Sequence, residues 1–350
     1  MSRLYVLLVF VPLAIVADLF GASPVLVFCM AAMGVIPLAA LVGEATEELA
    51  MRTGPRLGGL LNATLGNAAE LIITIFAIRA GLLELVKASI TGSILGNLLL
   101  VLGLSILMGG LKNGTQRFDR SQAGLNGTML ILAVIAIAVP SIFGHAIEPD
   151  HDAVEGLSLC VAVVMIVVYV LGIIYSFTSG RVEPLSHAPA KVHEARWSTR
   201  TSLGVLLAST LGIAWLSEVL VGNVEHVTET LGWSEFFVGI IIVPIVGNVA
   251  EHLVAVQVAI KNQMELSISI ALDSSLQIAL FVAPVLVFLS LLMGNPMDLV
   301  FNQFELIALG AASLIAALVA LDGESNWLEG VQLLVVYVIL AIAFFFLPTG

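Results

Sequence analysis

The sequence predicts an all-α polytopic membrane protein of about 11 transmembrane helices: one extra N-terminal helix, then two inverted five-helix repeats. Composition, the spacing of apolar stretches and an internal self-match predict it. Of 350 residues 59% are apolar and 11% charged, and mean hydropathy is +1.10, which leaves too few polar side chains to cover a soluble globule of this size. Apolar stretches of about 20 residues, the length that spans the hydrocarbon layer as a helix, recur almost from end to end. Backbone groups in hydrocarbon must pair internally, and the stretches lack the alternation of a membrane barrel, so helix is forced.

In order, the expected spans are 4–20, 23–43, 59–80, 84–110, 124–145, 155–178, 201–222, 233–260, 264–293, 302–321 and 327–347. The first opens with Met1-Ser2-Arg3, reaches Asp18 and has a short apolar part, so a cleaved signal peptide competes with a retained helix. No small-x-small cleavage site follows in a polar stretch, and retention gives a consistent topology. Cys29 and Cys160 fall inside spans, which reads as small packing residues rather than a disulfide or zinc site. The net charge of −12 implies no nucleic-acid partner, because the acids sit in short loops and at span ends.

A cytoplasmic N-terminus puts Arg3, Arg52, Arg56, Lys112, Arg117, Arg120, Arg181, Lys191, Arg196, Arg200 and Lys261 in the cytoplasm, 11 of 13 basic residues, with Arg79 and Lys87 outside. The C-terminus then lies outside. So does the stretch 145–155, with Glu148, Asp150, Asp152 and Glu155, read as a solvated loop ahead of a cation-collecting mouth. The expected organisation is an N-terminal helix at 1–22, a first repeat at 23–178, a cytoplasmic connecting loop at 179–200 and a second repeat at 201–350.

Sliding the chain against itself by 181 residues superposes Gly66-Asn-Ala-Ala-Glu70 on Gly247-Asn-Val-Ala-Glu251. Glu44 falls on Glu225, Glu48 on Glu229, Gly58 on Gly239, Glu84 on Glu265 and Ser93 on Ser274. The shift moves five spans along, and an odd number reverses direction through the membrane. Inverted repeats place a substrate site near the midplane at the repeat interface and permit alternating access.

Glu70 and Glu251 both fall near mid-bilayer, where a carboxylate costs several kcal/mol unless it is paired, protonated or metal-bound. Gly66 and Gly247 stand four residues earlier, where they permit either local unwinding, with carbonyls freed, or close helix packing. Asn67 and Asn248 can supply amide oxygens, and Pro244 removes a helical hydrogen bond in the second copy. Calcium wants six to eight oxygens, which carboxylates, carbonyls and water provide. Softer metals want histidine or cysteine; only His252 lies near, read as packing ahead of ligation. Two facing acids that hold protons when the metal is absent would couple the two ions without a separate device.

Glu44 and Glu225 divide evenly between passage acids, one per mouth, and interfacial acids in water. Glu84 and Glu265 read as complements to helix dipoles. Ser93, Asn97, Asp273, Ser274, Ser275 and Gln277 lie within spans four and nine, with Asn97 and Gln277 the better candidates to line the path.

The motifs Leu65-Gly-Asn-Ala-Ala-Glu-Leu71, Val243-Pro-Ile-Val-Gly-Asn-Val-Ala-Glu-His252, Gly92-Ser-Ile-Leu-Gly-Asn97 and Ser274-Ser-Leu-Gln-Ile278 resemble the calcium/proton exchanger (CAX) family of the cation/calcium exchanger superfamily, over nearly the whole chain. The resemblance implies an extra first helix before five plus five inverted spans. It implies Glu70 and Glu251 as the residues carrying Ca2+ and protons alternately, with carbonyls around Gly66 and Gly247 helping. It also implies gating by spans two and seven, passage roles for Glu44 and Glu225, and contributions from Asn97 and Gln277. Sodium/calcium exchangers have hydroxyl-rich repeat cores; here the neighbours of the glutamates are alanine, which favours protons as driver. The 179–200 stretch has Arg181, Lys191, Arg196 and Arg200 against Glu183 and Glu194, so an acidic regulatory helix there is not expected.

Rival readings are sodium-coupled exchange, another divalent ion such as Mn2+, and a passive cation channel. No His-Glu-x-x-His or Gly-x-Ser-x-Gly pattern marks an intramembrane enzyme. No cofactor is expected beyond the transported Ca2+ and H+; the bilayer is the partner, and a homo-oligomer is compatible. Short loops without a targeting extension suggest a prokaryotic plasma membrane.

Overall fold

The computed structural model describes residues 4–53, 55–147, 151–178 and 196–347. In chain order the helices are α1 (Phe10–Leu19, entered through a 3-10 turn at Leu4–Val9), α2 (Pro24–Thr53), α3 (Pro55–Leu65), α4 (Ala68–Arg79), α5 (Leu83–Leu95), α6 (Leu102–Asn113), α7 (Arg120–Ile147) and α8 (His151–Thr178). They continue as α9 (Thr199–Gly222), α10 (Val224–Leu231), α11 (Glu235–Phe237), α12 (Val243–Ile260), α13 (Met264–Gln277), α14 (Ala283–Leu292), α15 (Gln303–Val319) and α16 (Trp327–Phe345). Strands β1 (Gln116–Arg117) and β2 (Glu324–Ser325) form one small antiparallel pair. The expected Glu148, Asp150, Arg3 and most of the 179–200 loop lie outside the described residues.

Among the described residues eight helical stretches are long and apolar enough to cross a membrane, and Leu4–Leu19 and Gln303–Val319 are shorter apolar helices. The span expected at 59–80 is not one helix: it breaks at Gly66-Asn67, between α3 and α4. Outward faces of α7, α8 and α16 expose Ile135, Val163, Val167, Leu171, Val338 and Ile342, the apolar surface that a lipid solvent accepts and water does not. Cys29 and Cys160 lie exposed on α2 and α8, which corrects their reading as packing residues: a lipid-facing position asks only for an apolar side chain.

Among the described residues three π-helical turns interrupt the ladder, at Gly96–Val101, Val238–Ile242 and Ile278–Val282. The 181-residue shift carries the first onto 277–282, so this irregularity is itself repeated. Pro244 and Pro284 each follow a π turn by two residues. A proline ring clashes with the carbonyl four residues back, and here that residue, Ile240 or Leu280, sits in the widened turn.

The chain divides into two compact units, one containing residues up to 86 and 173–250, the other 87–172 and 251–347. In the first, α2 and α9 pack along each other. A Cβ on Gly34 would meet Leu216 Cδ1 at 2.8 Å, and one on Gly212 would meet Leu38 Cδ1 at 2.9 Å, so each helix seats a leucine in the other's glycine notch. Past Glu44, α2 continues to Thr53 through good helix formers, whereas α9 stops at Gly222-Asn223. Glu44 therefore does not end its helix as expected, and Glu225 opens a separate one, α10. Buried Glu48 accepts from the backbone N–H groups of Arg196 and Trp197 at 3.2 and 3.1 Å, and Arg52 donates to the Trp197 carbonyl, fixing the approach to α9.

In the second unit, α13 lies against α6, α7 and the first π turn. Helices α6 and α16 cross at Gly103 and Gly330, where a Cβ on Gly330 would lie 2.7 Å from the Gly103 carbonyl oxygen and against the Leu107 amide. The extended link between α14 and α15 is stapled by hydroxyls: Ser158 accepts from Leu299 N, Ser141 from Phe301 N and Ser290 from Met297 N. Lys87 pairs with Asp298 on the same link.

Candidate ion-binding residues

In the first unit Asn67, with φ −98° and ψ 23°, is the N-cap residue of α4, which puts Glu70 in the first helical turn. The partial positive charge of a helix N-terminus favours a carboxylate there. Glu70 is 3% exposed, and its carbonyl accepts from Thr74 Oγ1 at 2.7 Å. The Asn248 side-chain amide donates to Glu70 Oε1. A Cβ on Gly247 would sit 2.9 Å from Glu70 Cγ. Helix α12 runs unbroken through Gly247 and Asn248, so of the two readings of Gly247, local unwinding and close packing, the second copy adopts close packing. Gly247 is needed for close approach; the second copy's irregularity sits earlier, in the π turn Val238–Ile242. In the first copy the break is where expected, at Gly66-Asn67, and Asn67 is buried beside it.

In the second unit Glu251 sits in the interior of α12, half-buried. Ser274 Oγ donates to Glu251 Oε2 at 3.0 Å, and Asn97 Nδ2 donates to Ser274 Oγ at 3.0 Å, giving the relay Asn97, Ser274, Glu251. Asn97 stands at the start of its π turn and Gln277, also buried, at the last position of α13 before the next. Ser274 matters more than its second-tier place in the sequence reading suggested. Its signal was there, since it is the repeat mate of Ser93.

His252 Nε2 is buried with no hydrogen-bond partner among the described residues. Glu44 is half-buried and its Oε2 accepts from the Tyr5 hydroxyl; Glu225 is exposed. Tyr5 lies outside the repeat, so no internal match could have flagged it. Among the described residues no group of three or more His, Cys, Asp and Glu is poised around one point. Amide, hydroxyl and main-chain oxygens would have to complete the shell of a divalent cation, which suits a hard ion.

A family model described as sodium/calcium exchanger protein matches residues 23–178 and 201–346. The "Ca(2+)/H(+) antiporter" of Synechocystis sp. is 46% identical over 98% of this chain and 97% of its own. The "Ca(2+)/H(+) antiporter ChaA" of Bacillus subtilis is 44% identical over 99% and 100%. A solved structure described as native YfkE superposes with a TM-score of 0.86 at 41% identity, over 98% of this chain and 99% of that one. An H+/Ca2+ exchanger CAX structure gives 0.76 at 17% identity over 98% and 91%, a likeness of fold. The chain is an integral membrane protein of the sodium/calcium exchanger family, in the calcium/proton exchanger branch of the cation/calcium exchanger superfamily.

Proposed function

We propose that this chain moves Ca2+ across the membrane in exchange for H+ by alternating access, with Glu70 and Glu251 binding Ca2+ or protons alternately. The observation that carries the reading is the duplicated intramembrane glutamate, with the Asn248 amide donating to Glu70 and the Ser274 hydroxyl to Glu251. A carboxylate held at membrane depth is stabilised by a proton or a bound cation, and the exchange proposed here uses the two in turn. An empty site with two charges would cross the membrane at prohibitive cost, which ties one ion to the other. The names of the B. subtilis and Synechocystis relatives support the same exchange.

The residues assigned to it are Glu70 and Glu251 for Ca2+ and protons, with Gly66, Asn67, Gly247, Asn248, Asn97 and Gln277 around them, and Glu44 and Glu225 for passage. In the present conformation Tyr5 occupies Glu44. The halves 23–178 and 201–350 act as inverted repeats in a prokaryotic plasma membrane, N-terminus inside and C-terminus outside. No cofactor and no enzymatic step enter.

The test is Ca2+ uptake into everted vesicles or proteoliposomes under an imposed proton gradient, for wild type, Glu70→Gln and Glu251→Gln. Gradient-driven uptake that both substitutions abolish supports the proposal. Uptake that ignores the proton gradient and follows sodium assigns the chain to sodium-coupled exchange.

A further inference from the structure

Two segments outside the 181-residue repeat each bring a donor to an acid of α2. From the 3-10 entry to α1, the Tyr5 hydroxyl donates to Glu44 Oε2. From the stretch ahead of α9, the backbone N–H groups of Arg196 and Trp197 donate to Glu48, which is 5% exposed. The repeat mates of these acids, Glu225 and Glu229, both lie on α10 and both are exposed. The duplicated acids are thus engaged in one copy and open to their surroundings in the other.

The two contacts on α2 differ in kind. Glu48 is clasped by main-chain groups, and Arg52 closes the clasp on the Trp197 carbonyl, so this end of α2 is tied to the chain that enters α9. Glu44 meets a single neutral hydroxyl on one oxygen and is half-buried. It lies well inside the Thr53 end of its helix, roughly 14 Å along the axis at the α-helical rise.

A phenol hydroxyl bound to a carboxylate leaves its negative charge in place, so Glu44 still attracts a cation. Calcium often takes a carboxylate through both oxygens, and Glu44 can offer both only when the hydroxyl leaves Oε2. A hydrogen bond to a charged group is among the stronger ones, so its loss counts against each Ca2+ that engages Glu44. The entry to α1 packs directly on α2, so the donor stays beside its acceptor after release and can bind it again.

We propose that the Tyr5 hydroxyl is a one-sided latch that competes with Ca2+ for Glu44 and so weakens Ca2+ uptake from the mouth at α2, while the mouth at α10 carries no such latch on Glu225. The inference rests on the passage roles proposed above for Glu44 and Glu225. It gives the N-terminal segment, which the repeat does not need, a part in making the two faces of a duplicated carrier unequal.

The experiment measures the half-saturating Ca2+ concentration for transport in everted and in right-side-out vesicles, which present opposite faces of the protein. Tyr5→Phe keeps the ring and removes only the donor, and a thermal melt checks that the fold survives. It is expected to lower the half-saturating concentration about tenfold in one vesicle type and leave it unchanged in the other. In a Glu44→Gln background Tyr5→Phe is expected to change nothing further. Wild-type values from both faces in Tyr5→Phe, beside a raised value from one face in Glu44→Gln, would overturn the latch alone. An equal shift from both faces would overturn it too, because Tyr5 would then act on the shared ion site. Glu44→Gln indistinguishable from wild type on either face would remove the passage role and the latch with it. Wild-type vesicles that move no Ca2+ against a proton gradient would instead sink the exchange reading itself.

Discussion

The side-chain amide of Asn248 donates to the carboxylate of Glu70, and Gly247, one residue earlier, leaves the space against which the Glu70 side chain packs. The second copy of the motif thus builds the surroundings of the first copy's acid. Partners that orient a metal-binding carboxylate contribute about 10–100-fold in affinity. Asn248→Ala is expected to raise the half-saturating Ca2+ concentration by about that factor while the protein still folds, as read by transport kinetics beside a thermal melt.

Gly247→Ala probes the same contact sterically. Its Cβ would come 2.9 Å from Glu70 Cγ, in the middle of a buried side chain rather than at a flexible end. A cost of about 1–3 kcal/mol in stability is expected, together with impaired Ca2+ uptake. Unimpaired uptake would show that Glu70 can move aside freely.

Ser274 both receives from Asn97 and donates to Glu251, so the two substitutions should not add. A double-mutant cycle on Ser274→Ala and Asn97→Ala, read as Ca2+ affinity, is expected to give a coupling of about 0.5–3 kcal/mol. Additive effects would remove the relay.

Protons and Ca2+ compete for the same deprotonated glutamates in the proposed cycle. Raising the pH on the loading side is therefore expected to lower the half-saturating Ca2+ concentration, approaching about two decades per pH unit, one for each carboxylate. Flat dependence across the accessible range would separate the cation site from the proton site.

Glycine 330 tests the fold away from the ions. A Cβ there meets the backbone of α6 at Gly103 and Leu107, which cannot swing away as a side chain would. Gly330→Ala is expected to cost about 3 kcal/mol and to lower the melting temperature.

Hydropathy and the 181-residue self-match made the helical class, the repeat and both glutamates legible, because each is a property of residues near one another in sequence. Windowed hydropathy cannot tell a continuous helix from a broken one. It read 59–80 as one span although Asn67 starts a new helix, and it gave no hint that α12 would pass Gly247 unbroken. The partners Tyr5 with Glu44, Asn126 with Asp273 and Glu48 with Arg196 join residues 39, 147 and 148 positions apart. No local pattern encodes such pairs; they exist only once helices have packed.

The reciprocal seating of Leu38 and Leu216 in opposing glycine notches has a mechanical consequence. Neither α2 nor α9 can slide by itself without lifting both leucines from their sockets. The helix that bears Glu44 and the helix that leads into α10 and Glu225 are thereby geared together. Whatever motion the proposed passage roles of Glu44 and Glu225 demand must then be made by the two helices as one body, and shortening either leucine is the way to uncouple them.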